Sequence, residues 1–156
     1  LADDDFCFLS DLDEIWNPAI TLDYSANDVY KFRQKVYCYY LNNRSDEPWV
    51  GTTATKYSNI KNNYLNFIRN IHKTKHTYIE DGGWHFTYQG GLERVIKKVE
   101  SFSHQEINLK KLKSKIGKRM KKNQDFIGRN YHYWVDESEL PNYLLENKSK
   151  YLTLFK

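Results

Sequence analysis

Short apolar runs typical of β-strands alternate along this chain with longer segments whose apolar residues recur at helical spacing. The strand-like runs lie at residues 6–9, 36–41, 49–55 and 77–80, and the helical segments lie at 58–71, 92–99, 109–120 and 140–155. Asn17 and Pro18 indicate a further helix start. Such alternation predicts an α/β domain in which helices flank a sheet.

Composition supports one globular domain over residues 1–156. Of the 156 residues, 40% are hydrophobic and 16% aromatic, which excludes a disordered or low-complexity chain. No internal repeat or linker divides the sequence. The 13 tyrosines and 4 tryptophans fit two interpretations equally: half-buried clefts lined for polar ligands such as sugars, or an aromatic-rich core.

Charge and cysteine content narrow the partners and the compartment only slightly. The net charge of +4 permits contact with phosphate groups but does not require nucleic acid. Cys7 and Cys38 both lie in apolar runs, so we predict free, buried thiols, which fit a reducing compartment. No apolar stretch approaches the roughly 20 residues of a membrane-spanning helix.

An acidic segment, Ser-Asp-Leu-Asp-Glu at residues 10–14, directly follows the first apolar run. The run predicts a buried parallel strand, and polar groups at the carboxyl end of such strands are typical of ligand sites. Continued strand alternation points Asp11 and Asp13 the same way, so that they could share Mn²⁺ or Mg²⁺ bridged to a diphosphate. The spacing alone also fits a solvated acidic turn, a phosphatase or a nuclease.

Two further segments carry candidate site residues. Gly-Gly-Trp-His-Phe at 82–86 predicts a loop whose backbone passes close to a ligand. Trp84 could stack there on a sugar ring, or it is a core residue in a tight turn. His104, within Ser-Phe-Ser-His-Gln-Glu at 101–106, could complete a metal shell begun by the carboxylates. Glu106 and Asp81 are alternative candidates for a general base.

Four segments occur here in an order that is specific only in combination. They are Ser-Asp-Leu-Asp-Glu-Ile at 10–15, Gly-Trp-His-Phe-Thr-Tyr at 83–88 followed by Gly90 and Gly91, Lys-Val-Glu-Ser-Phe-Ser-His-Gln-Glu at 98–106, and Leu-Pro-Asn-Tyr-Leu at 140–144. Together they resemble glycosyltransferase family 17, the β-1,4-mannosyl-glycoprotein β-1,4-N-acetylglucosaminyltransferases. The resemblance covers nearly the whole chain.

The resemblance implies a GT-A-like mixed sheet flanked by helices. Residues 1–156 would be the C-terminal part of a longer catalytic domain, lacking its N-terminal nucleotide-binding strands. It also implies inverting transfer of N-acetylglucosamine from UDP-GlcNAc to a glycan or lipid-linked sugar, with Mn²⁺ or Mg²⁺. The compartment would be the cytoplasm for a microbial or viral source, and the Golgi lumen for the eukaryotic branch.

The resemblance places the metal on Asp11 and Asp13, and the substrate on Glu14, Gly83, Trp84 and His85. The reasoning from the residues adds His104 to the metal site and leaves Glu106 and Asp81 as alternative bases.

A basic run at residues 110–122 contains eight lysines and arginines, with Leu112, Ile116 and Met120 at helical spacing. It predicts a solvated helix face, and the functional alternatives are peripheral contact with an anionic membrane, a phosphorylated lipid-linked acceptor or nucleic acid. A nucleic-acid-binding module that uses this helix is therefore the rival prediction, and a metal-dependent phosphoesterase is the rival enzyme. The transferase prediction expects no nucleic-acid partner.

Overall fold

A computed structural model of the protein describes residues 1–26, 28–70, 76–101 and 109–156. In these ranges, helices flank two sheets of four and five strands, so the α/β prediction is confirmed at that level. The chain divides into two compact units. The first comprises Leu1–Lys35 and Pro48–His85, and the second comprises Val36–Glu47 and Phe86–Lys156.

The described strands are β1 (Phe6–Leu9), β2 (Glu14–Trp16), β3 (Val29–Arg33), β4 (Lys35–Cys38), β5 (Asn43–Ser45), β6 (Val50–Lys56), β7 (His76–Ile79), β8 (Gly83–Thr87) and β9 (Tyr133–Val135). The α-helices are α1 (Tyr57–Ile60), α2 (Leu65–Asn70), α3 (Leu92–Glu100), α4 (Leu109–Lys121) and α5 (Asn142–Glu146), and a 3₁₀ helix spans Lys148–Leu154.

The first unit contains the four-stranded sheet, in the order β1-β6-β3-β7. The β3–β7 pairing is parallel, whereas β1–β6 and β3–β6 are antiparallel, so the sheet is mixed. The prediction of a buried parallel strand at 6–9 is therefore wrong in two respects. β1 is an antiparallel edge strand of the described sheet, and its four residues are only half-buried because no described strand pairs with its other side.

Both faces of this sheet are covered, as the alternation of side chains along β1 shows. Phe6 and Phe8 pack on one face against a buried cluster formed by Leu22, Tyr30, Phe32 and Ala54. Cys7 and Leu9 pack on the other face against Ile60 and Ile68 from α1 and α2. The single helix predicted for residues 58–71 is thus two short helices separated by a turn, and Ile71 lies outside the described residues.

The Gly-Trp-His segment is a strand, not the predicted loop. β8 pairs antiparallel with β2, placing Glu14 opposite His85, Ile15 opposite Trp84, and Trp16 opposite Gly83. Gly83 has φ +135°, and a Cβ there would lie 2.1 Å from the carbonyl oxygen of Ile15. The glycine therefore serves close backbone approach within the strand pair rather than approach to a ligand.

The helix start predicted at Asn17 and Pro18 is also wrong. The Asn17 side chain accepts a hydrogen bond from the backbone N–H of Ala19 at 3.1 Å, and the N–H of Ile20 donates to the Asn17 carbonyl. These bonds close a local turn instead of opening a helix, which is the alternative use of asparagine that competes with capping.

The second unit combines an antiparallel β4-β5-β9 arrangement with α3 and α4. The predicted strand at 36–41 ends early because Tyr39 adopts a positive φ of 72°. The helices predicted at 92–99 and 109–120 are confirmed, and their buried residues Val95, Val99, Leu112 and Ile116 pack with Cys38, Tyr39 and Phe126. At the C-terminus, α5 and the 3₁₀ helix replace the predicted single helix.

Both cysteines are free, as predicted. Cys38 is buried in the second unit, whereas Cys7 is half-buried in the first. Burial raises the pKa of the Cys38 thiol well above its usual range, so this thiol stays protonated and unreactive. Among the helices of the described residues, none combines the length and the apolar character needed to cross a membrane.

Candidate functional site

The acidic segment forms a turn between β1 and β2, not the continuation of a strand. The backbone N–H of Glu14 donates to the Asp11 carbonyl at 3.1 Å, and the backbone N–H of Asp11 donates to Glu14 Oε2 at 3.0 Å. The predicted strand alternation of Asp11 and Asp13 therefore does not apply, because neither residue lies in a strand. Instead, the Glu14 carboxylate at the end of the turn is hydrogen-bonded to the backbone of Asp11 at the beginning of the turn.

Glu14 is the buried anchor of this turn. Its side chain is 0% exposed, and its Oε1 accepts hydrogen bonds from Trp49 Nε1 at 3.0 Å and Arg69 Nη2 at 2.8 Å. Arg69 also forms an ion pair with Asp11 through Nη1. A carboxylate removed from water requires such partners, since an unpaired buried charge costs several kcal/mol. Arg69 therefore bridges the buried and the more exposed acidic residue of the turn.

The electrostatics around Arg69 favour its charged form. Burial alone would lower the pKa of the guanidinium, but the hydrogen bonds and charges of Asp11 and Glu14 outweigh that effect and raise the pKa. Lys31 donates from Nζ to the Arg69 carbonyl oxygen. Burial, and secondarily the positive charge of Arg69, lower the pKa of Lys31. Arg69 therefore stays charged beside the acidic turn, whereas Lys31, which contacts the Arg69 backbone, loses its proton more readily than an ordinary lysine.

His85 joins the same cluster from β8. Its ring stacks on the Trp49 indole with centroids 4.1 Å apart, and its Nε2 lies 3.4 Å from Asp13 Oδ2. His85 is only 6% exposed, yet its Nδ1 has no hydrogen-bond partner within the described residues. A buried polar atom of this kind calls for a water molecule, an ion or a ligand group to complete its hydrogen bonding.

A second incompletely bonded group, Gln34, lies between β3 and β4. Gln34 donates from Nε2 to Thr52 Oγ1 at 3.1 Å and to the Ile15 carbonyl at 3.3 Å. Thr52 in turn shares a 2.5 Å hydrogen bond with Ser10 at the start of the acidic turn. The buried Oε1 of Gln34 has no partner among the described residues. The Gln34 acceptor and the His85 ring nitrogen are therefore two buried polar atoms of one cluster that lack a partner among the described residues.

The sequence-predicted residues divide into three groups. The structure brings Asp11, Asp13, Glu14 and His85 together, with Gly83 two positions away along β8. Trp84 pairs with Ile15, and strand alternation places its side chain on the opposite face from His85. Asp81 lies before β8 at a positive φ of 51°, exposed and paired with Lys35 at 2.9 Å. His104 and Glu106 lie outside the described residues.

Three members of the cluster were not singled out from the sequence: Trp49, Arg69 and Gln34. Trp49 is the aromatic residue that stacks on His85, whereas the sequence analysis singled out Trp84 as the aromatic residue of the site. Arg69 occupies one polar position on a short helix, and Gln34 stands between two strands. Nothing local marks any of the three, because their roles arise from contacts with segments distant in the chain.

Mn²⁺ and Mg²⁺ require oxygen-rich ligand sets. Within the described ranges, no group of three or more His, Cys, Asp or Glu side chains is arranged to hold a metal ion. Asp11 and Asp13 nevertheless supply carboxylate oxygens from one short turn. Magnesium sites that act on phosphates often use one or two carboxylates, with phosphate oxygens and water as the other ligands. The residue types of the turn match this minimal type of site, while in this structure Asp11 contacts Arg69 and Asp13 contacts His85.

The basic run forms the amphipathic helix α4 in the second unit. Leu112 and Ile116 are buried on one face, whereas Lys115 and Lys118 are exposed. Lys113 forms an ion pair with Glu100 at the end of α3. The prediction of a solvated lysine face is confirmed for these residues.

Comparisons with known proteins bring no relative: no family model, no curated protein and no solved structure matches the chain.

Proposed function

We propose that the protein is an inverting, metal-dependent glycosyltransferase that uses a nucleotide-sugar donor, with the acidic turn at residues 10–14 holding the donor diphosphate. UDP-GlcNAc is the donor that the resemblance to glycosyltransferase family 17 favours, and a glycan or lipid-linked sugar is the acceptor. A GT-A-like arrangement of the catalytic domain belongs to the same proposal.

The observation that carries the proposal is the meeting of two motifs about 70 positions apart in the chain. Glu14 of the acidic motif lies opposite His85 of the Gly-Trp-His motif, and Asp13 lies 3.4 Å from the His85 ring. The resemblance had singled out these motifs from sequence alone. The pairing of β2 with β8 brings the two motifs together, and this proximity is what one shared site requires.

The chemistry assigned to each residue follows from its surroundings. A bound Mn²⁺ or Mg²⁺ would supply charge stabilisation to the departing nucleotide diphosphate. Asp11 and Asp13 offer the oxygen ligands, and the contact with His85 orients the Asp13 carboxylate. Arg69 is positioned by Glu14 and stays charged, so it can add a guanidinium contact to a phosphate oxygen. The base is Glu106 or Asp81, and Asp81 is solvated in the described structure.

Binding of UDP-GlcNAc in the presence of Mn²⁺ tests this proposal, together with donor hydrolysis and transfer. We expect Asp13→Asn to weaken Mn²⁺-dependent binding by about ten-fold or more, since a charged ligand to the metal is lost. Asp4→Asn is the matched control, because Asp4 is an exposed carboxylate of the same unit that pairs with Lys56 at 3.1 Å. Equal effects of the two substitutions, or binding that ignores Mn²⁺, would contradict the assignment.

The rival functions give different results in the same series of measurements. A nucleic-acid-binding module would show salt-sensitive affinity for DNA or RNA and no affinity for UDP-GlcNAc with Mn²⁺. A metal-dependent phosphoesterase would hydrolyse simple phosphate esters, and Asp13→Asn would abolish that hydrolysis without any dependence on the sugar.

A further inference from the structure

A cavity of about 570 Å³ lies in the second unit, within the stretch that runs from the end of α4 to the start of β9. Its walls come from residues 119–133. The volume falls in the range of small-molecule sites. Unlike a typical apolar pocket, this one is lined mainly by charged, amide and tyrosine side chains.

Asp125 holds the loop around the cavity in one conformation. The carboxylate is 1% exposed, and its Oδ1 accepts hydrogen bonds from the backbone N–H groups of Ile127, Gly128 and Arg129 at 2.8–3.0 Å. Its Oδ2 accepts from the Arg129 guanidinium at 2.7 Å. The negative charge is therefore fully compensated, and the loop is preorganised before any ligand arrives.

Positive charge in the cavity is only partly compensated. Arg129 is shared between Asp125 and Glu47, and His132 contacts Asp46 at 2.8 Å. Arg119 donates one hydrogen bond from Nη1 to the Phe126 carbonyl and has no carboxylate partner among the described residues. Lys122 likewise has none there, and its side chain is exposed. Arg119 in the last turn of α4 and Lys122 directly after the helix thus line the cavity without a carboxylate partner among the described residues.

The remaining lining offers hydrogen bonds to uncharged polar groups. Gln124 and Asn130 present exposed amides, and Tyr131 presents an aromatic ring against which the Arg129 guanidinium lies at 4.8 Å. Amide groups and tyrosine side chains suit the hydroxyl groups of a polar ligand. The guanidinium of Arg119 and the ammonium group of Lys122 suit a ligand group with several anionic oxygens.

We propose that this cavity binds a small sugar phosphate, with Arg119 and Lys122 on the phosphate and the amide and tyrosine groups on the sugar. The site is separate from the acidic turn in the chain and contains no part of it, so it stands independently of the proposed transferase function. In this proposal, the basic residues at the end of the 110–122 run bind a phosphate group, in addition to keeping the helix surface solvated.

Calorimetric titration of the whole chain with glucose 1-phosphate, inorganic phosphate and glucose, without divalent metal, tests the proposal. We expect saturable binding of glucose 1-phosphate, weaker binding of phosphate and no detectable binding of glucose. Lys122→Gln and Arg119→Gln should each weaken glucose 1-phosphate binding by about ten-fold, the usual effect of losing one charge-assisted hydrogen bond.

The control is Lys115→Gln, which removes the same charge from an exposed position of α4 outside the cavity. It should leave affinity within about two-fold. Equal weakening by Lys115→Gln would show diffuse attraction to the helix and overturn the proposal, as would the absence of saturable binding. If Arg119→Gln fails to fold, Lys122→Gln decides, since the Lys122 side chain is exposed.

Discussion

At the residue scale, the acidic turn depends on a space that only glycine leaves open. A Cβ at Gly51 would lie 1.9 Å from Gln34 Oε1 and 2.8 Å from both Glu14 Cδ and Trp49 Nε1. Separations this short force the side chains apart. Gly51 therefore permits the approach of the indole to the buried carboxylate, and with it the stacking of Trp49 on His85.

Gly51→Ala should accordingly lower the free energy of unfolding by about 1–3 kcal/mol, as overpacking of a filled site does. It should also change the tryptophan fluorescence, because the environment of Trp49 is altered. Urea denaturation and emission spectra provide the measurement. Gly117→Ala is the control: its Cβ would meet only the flexible end of Leu92 at 3.2 Å, and alanine favours the helix by about 1 kcal/mol. A similar loss in both variants would contradict the argument.

At the scale of single elements, the loop after α4 should be sensitive to acid. Burial alone would raise the pKa of Asp125, but hydrogen bonds from Arg129 and from the backbone of Arg129 and Gly128 outweigh it, so the pKa lies below its usual range. A lowered folded-state pKa means that Asp125 stabilises the protein above the ordinary carboxyl pKa of about 3.9. This contribution is lost as the pH falls through the folded-state pKa.

We therefore expect the unfolding free energies of the unsubstituted protein and of Asp125→Asn to become more similar as the pH is lowered from neutral through the range in which carboxyl groups titrate. At neutral pH the substitution should cost about 1–3 kcal/mol, because the buried Asp125 carboxylate loses its charge-assisted hydrogen bonds from the partly exposed Arg129, which keeps Glu47 as its partner. Glu80→Gln, at an exposed pair with Arg33, should cost less than about 1 kcal/mol at any pH. A difference for Asp125→Asn that stays constant with pH would be inconsistent with this view.

Helices and strands with a long, regular residue pattern could be predicted from the sequence. Very short strands, which form only because a neighbouring strand pairs with them, could not. α3 and α4 were predicted because each repeats its apolar face over several turns, and β6 because it is a long run of strand-forming residues. The strands β2, β5 and β9 have three residues each, too few for any periodicity. At β8 the paired glycines suggested a loop, whereas Gly83 allows the backbone of β2 to approach.

At the scale of the whole chain, the same limit applies to the candidate site. The acidic turn and His85 could be singled out because their residue types are unusual in their local context. Arg69, Trp49 and Gln34 could not, because each reaches the cluster from a different segment of the first unit. Sequence reasoning also treated the chain as one body, whereas each compact unit has its own buried cluster: Phe32 lies at the centre of one and Ile116 of another.

Separate cores should make the two units respond separately to a cavity. Phe32 and Ile116 are both 0% exposed, so Phe32→Ala and Ile116→Ala should each cost about 2–5 kcal/mol. Hydrogen exchange read by mass spectrometry should then show protection lost first in β3, β6 and β7 for Phe32→Ala, and first in α3 and α4 for Ile116→Ala, because local opening follows local packing. The exposed substitution Tyr64→Ala should change neither pattern, since that side chain is 87% exposed. A uniform loss of protection along the chain in both core variants would show that the two clusters unfold as one cooperative body, whatever their separation in the native contacts.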